Sequence, residues 1–113
     1  LYAFSFNTKI KSKIRLRIEK SFDEFIDVSK ISDKNVALMA RQKEVDIAID
    51  LGGYTKNSRP SIFAMRVAPI QINFLGYPGT MGANYIDYNI SLQNLYLFHY
   101  HHWVGKNLQF LKF

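Results

Sequence analysis

The stretch that decides the fold is Val45-Asp46-Ile47-Ala48-Ile49-Asp50-Leu51-Gly52-Gly53-Tyr54-Thr55, followed at a distance by Ile70-Gln71-Ile72-Asn73-Phe74-Leu75-Gly76-Tyr77-Pro78-Gly79-Thr80. Each half is a β-branched run that ends in a glycine-and-aromatic loop. The segment between them, residues 56–69, has the content of one short helix, with Pro60 suited to its first turn. Strand, loop, helix, strand is a βαβ unit with parallel strands and a right-handed crossover. Parallel strands place their carboxyl ends on one edge of the sheet, so both loops belong to the rim where open α/β sheets bind ligands. Small residues there let a backbone approach a ligand closely, and the aromatic faces suit sugar rings and peptide chains. The plain alternative is that both loops are tight turns.

Working outward, residues 2–6 alternate as a short strand, and residues 12–25 carry Ile14, Ile18, Phe22 and Phe25 at helical spacing. Residues 26–28 form an extended piece. Ser32 is a helix N-cap with Asp33 in the first turn, and Val36, Met39 and Ala40 mark the inward side of a helix that ends near Lys43. Strands are expected over 45–51, 70–74 and 85–90, with a helix over 59–66. The element order is that of a doubly wound α/β layer, a parallel Rossmann-like sheet with flanking helices.

Composition narrows the function. The 113 residues are at most one domain, 48% hydrophobic and 15% aromatic, so a core is available. There is no cysteine, which excludes disulfides and thiolate metal sites and fits a cytoplasmic protein. No apolar run reaches membrane-spanning length, and Leu1–Phe6 lacks the flanks of a signal peptide. The net charge of +6 is concentrated in Lys9, Lys11, Lys13, Arg15, Arg17 and Lys20. These fall on the polar side of the expected first helix without interleaved aromatics, so they read as a solvated face rather than a nucleic-acid platform. Dinucleotide, Walker and serine-elbow motifs are absent. Asp46 and Asp50 lie about 13 Å apart by strand rise, too far for a carboxylate dyad. His99, His101 and His102 lie in the tail with no further metal ligand near them in sequence.

The segments on the rim resemble those of a known family. Residues 46–59 are similar to the "D-I-x-x-D-L-x-G-Y-T-K-x-x-R" run of the O-GlcNAc transferase and SPINDLY family. Residues 62–71 resemble its "I-F-A-x-R-P-A-P-I-Q", residues 75–83 its "L-G-Y-P-G-T-x-G-A", and Asp87-Tyr88 its "M-D-Y". Upstream, residues 1–6 and 22–27 resemble "V-Y-A-Y-S" and "F-D-x-F-x-D". The resemblance is colinear over residues 1–90. It implies part of the amino-terminal catalytic lobe of a GT-B glycosyltransferase, an enzyme commonly preceded by tetratricopeptide repeats. The implied reaction moves N-acetylglucosamine from UDP-GlcNAc to protein serine or threonine hydroxyls, without a metal. SPINDLY-type members use GDP-fucose, and a non-enzymatic α/β binding module is the third reading.

By the resemblance, Tyr54 and Thr55 line the acceptor cleft, and Leu75, Gly76 and Tyr77 lie near sugar and acceptor. No catalytic residue is assignable, because the donor-binding lobe is not in this chain. The implied partners are a protein or peptide acceptor and a nucleotide sugar, with no nucleic acid and no membrane. Two departures stand out within this span. Val67 replaces the usual proline and is expected to be tolerated in a loop; Gly52 replaces a polar or basic residue and is expected to loosen its turn. Residues 91–113 diverge from the expected acidic, proline-containing segment. They are hydrophobic, free of acidic residues, and read as a frame slip, a truncated gene or a terminal variant. The chain itself reads as a piece of a longer product.

Overall fold

The computed structural model describes residues 1–6, 12–74 and 80–90. Along the chain run β1 (Tyr2–Ser5), α1 (Lys13–Glu19), β2 (Glu24–Asp27), α2 (Asp33–Gln42), β3 (Ile47–Asp50), α3 (Pro60–Ala64), β4 (Ile70–Phe74) and β5 (Tyr88–Ile90). Among the described residues all strand pairs are parallel. β1 pairs with β2, Tyr2 opposite Glu24. β4 lies between β3 and β5, with Ile47 opposite Ile70 and Ile72 opposite Tyr88. Among the described residues the single layer expected from sequence is two sheets, one of two strands and one of three.

The βαβ unit is present as read. Pro60 opens α3, where its missing N–H costs nothing. Met65 and Arg66 donate their N–H groups back to Ile62 and Phe63 in tight closing turns, and Arg66 takes φ +56°, which stops the helix short of the expected end. Ser32 caps α2 by accepting from the Asn35 N–H. Val36, Ala37 and Ala40 of α2 pack against Ile62, Phe63, Val67 and Val28 to form the core.

The first helix departs from its reading. It ends at Glu19, and Glu24–Asp27 leaves the helical pattern to pair with β1. Ile14, Leu16 and Ile18 face outward at 72%, 56% and 46% exposure. Arg15 turns inward instead. Its guanidinium lies 5.2 Å from the Phe25 ring centroid, pairs with Glu19 at 2.8 Å and donates to Ser5 Oγ at 3.3 Å. The periodic isoleucines therefore do not seat α1; pairing of backbone groups in β2 overrides their helical spacing. Of the basic cluster, Lys13, Arg17 and Lys20 are exposed as expected, and Lys9 and Lys11 lie outside the described residues.

Arginines and one glutamine tie the layers together. Arg59 donates to Val28 O (2.9 Å), Ile31 O (2.5 Å) and Asp33 Oδ1 (2.6 Å), and it stacks 5.1 Å from the Phe6 ring. Asp33 also accepts from Ser61 Oγ. Gln71 on β4 is fully buried. Its amide nitrogen, Nε2, donates to Phe63 O (2.9 Å) and Tyr85 O (2.6 Å), and its Oε1 accepts from the Val67 N–H (2.8 Å). Val67 is thus more than tolerated: it is a core residue, 4% exposed, and supplies a donor that proline lacks.

Two outcomes follow from these bonds. Gln71→Leu leaves the buried Val67 N–H without its acceptor and takes one of two donors from Phe63 O and Tyr85 O, and the urea midpoint should report a loss of about 2 kcal/mol; an unchanged midpoint would show that the bonds are replaceable. Asp33 has its carboxyl held below the ordinary value, first by the Ser61 hydroxyl and then by Arg59, with partial burial opposing. A lowered folded-state value means stability that is present above about pH 4 and lost as pH falls through the folded value. Asp33→Asn should lower stability at neutral pH and flatten the acid side of a stability–pH curve.

Candidate functional site: the carboxyl edge of the three-stranded sheet

β3 and β4 run side by side and end together, Asp50 opposite Asn73, so the loop that follows β3 sits beside the carboxyl end of β4. That loop is residues 51–58. Asp50 is 5% exposed and anchors it: Oδ1 accepts from the Gly52 N–H at 2.8 Å. Gly52 O accepts twice from Thr55, from its N–H at 3.1 Å and from Oγ1 at 2.8 Å. Ser58 N–H then donates to Thr55 O at 3.1 Å.

Gly53 stands at φ +55°, a left-handed conformation that glycine adopts without steric cost. Gly52 does not loosen the turn. A Cβ there would lie 3.2 Å from Ser58 Cβ and 3.4 Å from Asp50 Oδ1, so the bare Cα lets the loop close tightly on its anchor.

The structure places Tyr54 at the outside of this loop, 49% exposed, with Thr55 exposed beside it and holding the turn. Leu75, Gly76 and Tyr77, the other three residues assigned to the rim from sequence, lie outside the described residues, as do the three histidines. Among the described residues no group of His, Cys, Asp or Glu is arranged to hold a metal ion. No helix among them is long and apolar enough to cross a membrane.

Beneath the rim lies a feature that sequence reading missed. Asp50, Asn73 and Asn89 stand in register across β3, β4 and β5. Asn73 is fully buried and donates through Nδ2 to Asn89 Oδ1 at 3.1 Å. Among the described residues, Asp50 Oδ2 and Asn73 Oδ1 are buried acceptors without a hydrogen-bond partner. The half-buried Tyr85 joins the same cluster. Its phenol is pushed above the ordinary tyrosine value, first by burial, then by its hydrogen bond with Tyr54 and by the charges of Tyr54 and Asp50. Tyr85 thereby connects the exposed rim aromatic to the buried row. The signal in the sequence was the alternation of Gln71 and Asn73 with Ile70, Ile72 and Phe74, whose polar members ordinarily face water.

With this geometry in view, comparison with known proteins is decisive. The model of glycosyl transferase family 41 matches residues 1–112. The chain belongs to glycosyl transferase family 41. It is 40% identical over 91 residues to the Arabidopsis thaliana protein named probable UDP-N-acetylglucosamine–peptide N-acetylglucosaminyltransferase SEC, covering 80% of this chain and 9% of the relative. It is 41% identical over 91 residues to the Caenorhabditis elegans UDP-N-acetylglucosamine–peptide N-acetylglucosaminyltransferase, covering 80% and 8%. A mutant of the Thermobaculum terrenum O-GlcNAc transferase superposes with a TM-score of 0.73 at 28% identity, over 78% of this chain and 17% of that one.

The segment is thus an α/β piece of a family 41 catalytic region, and it spans under a tenth of the length of these two curated relatives. The family match runs past Ile90 into the tail, whereas these two pairwise alignments cover 91 residues. Several of the family-like residues turn out to be struts. Arg66 donates to Pro69 O at 2.6 Å and Tyr85 O at 3.2 Å and pairs with Asp87 at 2.8 Å, while Asp87 accepts from the Gln71 N–H at 2.8 Å.

The anchoring role of Asp50 has a direct test. Asp50→Ala removes the acceptor for the Gly52 N–H, and amide exchange at Gly52 should accelerate about tenfold, the factor that a bond of about 1.4 kcal/mol controls. Asp50→Asn keeps an acceptor oxygen and should retain most of the protection. Equal protection in all three proteins would mean that Thr55 alone holds the loop.

Proposed function

We propose that this segment supplies the acceptor-side rim of a protein O-glycosyltransferase that moves N-acetylglucosamine from UDP-GlcNAc to serine or threonine hydroxyls. Family membership supports the reading, and one structural observation carries it. The Gly52–Thr55 loop is fixed at the carboxyl edge of a parallel sheet by a buried carboxylate, with an exposed aromatic at its tip. A fixed loop with an exposed phenol ring offers a flat apolar face and a hydroxyl to a peptide or sugar.

In this reading Tyr54 and Thr55, with Leu75, Gly76 and Tyr77, position the acceptor. The acceptor oxygen forms a bond to the anomeric carbon as the bond from that carbon to UDP breaks, and UDP leaves with the electron pair. The acceptor proton passes to a base that lies outside this chain. The donor is held mainly by the lobe that is not in this chain, and no metal is required. Holding donor and acceptor in one cleft supplies much of such a rate, so a chain with only one side of the cleft lacks the main catalytic device. A cytoplasmic setting belongs to the same proposal.

The test has two parts. The purified chain, incubated with UDP-GlcNAc and a serine-containing peptide, should yield no glycopeptide. A chimera, in which the aligned 91 residues of this chain replace those of the Arabidopsis relative, should restore transfer. In that chimera Tyr54→Ala should lower kcat/KM by about tenfold, a loss of about 1.4 kcal/mol of transition-state binding, at unchanged Tm. Full activity in the Tyr54→Ala chimera would reduce the loop to scaffold. GDP-fucose offered in parallel identifies the donor, and a preference for it would replace the N-acetylglucosamine reading with the fucosyl one.

A further inference from the structure

The bonds that shape the rim loop join Asp50 to the Gly52 N–H and Thr55 to Gly52 O. They fix the Cα of Tyr54 but not its ring. The ring is half-exposed and turns about two side-chain torsions. Such a side chain samples several rotamers unless its ring or hydroxyl is engaged, and each rotamer carries the ring to a different place. An acceptor site built on that ring therefore needs a contact from outside the loop.

Tyr85, on the approach to β5, supplies it. The two phenols share a hydrogen bond. Tyr85 is itself firmly held. Its carbonyl accepts from Gln71 Nε2 at 2.6 Å and from Arg66 Nη1 at 3.2 Å. The N–H of Ile86 donates to Ala83 O at 3.1 Å, and that of Asp87 to Gln71 O at 2.8 Å. The Tyr85 side chain packs against the core. Packing engages the ring, and the hydroxyl reaches the rim. Burial first, then Tyr54 and the charge of Asp50, push this phenol above the ordinary tyrosine value, so it keeps its proton at neutral pH and remains a donor.

We propose that Tyr85 is a positioning residue of the acceptor site: through its hydroxyl it sets the orientation of the Tyr54 ring, and so the place where a peptide acceptor lies on the rim. The inference rests on the acceptor-rim reading and extends it to a residue that acts through Tyr54. A tyrosine that only filled the core would leave Tyr54 and Tyr85 energetically independent.

Tyr85→Phe deletes the hydroxyl and keeps the ring in the core. In the chimera with the Arabidopsis relative, KM for the serine-containing peptide should rise about fivefold, the effect of one hydrogen bond. The kcat, the KM for UDP-GlcNAc and the Tm should stay close to those of the parent chimera. The same substitution added to Tyr54→Phe should change nothing further, because the bond is already gone. Independent, additive effects of the two substitutions overturn the proposal. So does an unchanged peptide KM in Tyr85→Phe while Tyr54→Ala is impaired; that outcome leaves the acceptor rim in place and removes only Tyr85 from it. A fully active Tyr54→Ala chimera overturns both readings together. Activity in Tyr85→Phe that falls in step with Tm makes Tyr85 a core residue alone and also overturns the proposal. Ring-carbon relaxation of Tyr54 in the 113-residue chain gives a readout that needs no transfer. Tyr85→Phe should lower the ring order parameter into the flexible range, below about 0.6, while amide exchange at Gly52 stays slow. A Tyr54 ring equally ordered with and without the Tyr85 hydroxyl overturns the proposal.

Discussion

The side chain of Gln71 is the constraint on which the rest of this structure depends. It sits on the central strand of the three-stranded sheet with no exposure to solvent, and an amide placed there must satisfy both its donor and its acceptor ends within the protein. It does so by holding the end of α3 through Phe63, the following loop through Val67 and the approach to β5 through Tyr85. Three pieces of chain that share no regular hydrogen-bond ladder are thereby fixed relative to one strand. The main chain of the same residue continues the arrangement, since Gln71 and Asp87 each donate an N–H to the other at 2.8 Å. Asp87 in turn engages Arg66, and Arg41 of α2 donates to Arg66 O at 3.1 Å. The register of β5 against β4 thus follows from polar contacts rather than from an apolar seam.

This arrangement also explains how the rim loop is held. A parallel pair brings the ends of β3 and β4 to the same edge, and Asp50, the last residue of β3, turns its carboxylate back onto the Gly52 N–H. The loop needs no bulky residue to keep its shape: Thr55 closes it by two bonds to Gly52 O, and Gly53 takes the left-handed conformation that the turn requires. Tyr54 is left outside, joined to Tyr85 below. Rigid support beneath an exposed aromatic is what positioning of a flexible acceptor calls for.

The two halves of the chain are joined in a different way. Arg59, at the start of α3, reaches two carbonyls after β2 and the carboxylate of Asp33 at the start of α2. The planar guanidinium supplies several donors in fixed directions, so one residue stitches three segments that lysine could not. Arg15 does similar work for α1, whose aliphatic residues are left in solvent. On α1 the inward contacts are made by Arg15 and not by the isoleucines of the periodic stripe.

The sequence by itself determined the βαβ unit, its parallel sense, the caps of α2 and α3, and the family. These follow from local rules: β-branched runs between turn residues, a serine before an acidic first turn, proline at a helix start, and colinear segments of recognisable pattern. Tyr54 and Thr55 were legible as rim residues for the same reason, because a loop after a parallel strand has only one edge to occupy. The inner face of α2 was legible in Val36 and Ala40, but the tertiary structure alone decided which face of β4 and of α1 is inside. The alternation along β4 reads as apolar in and polar out, and the stripe Ile14-Ile18 reads as a buried helix face; both are reversed. Periodicity fixes which residues share a face but not which face meets the core. That choice depends on crossover handedness and on the partners of buried polar groups such as Gln71 and Asn73.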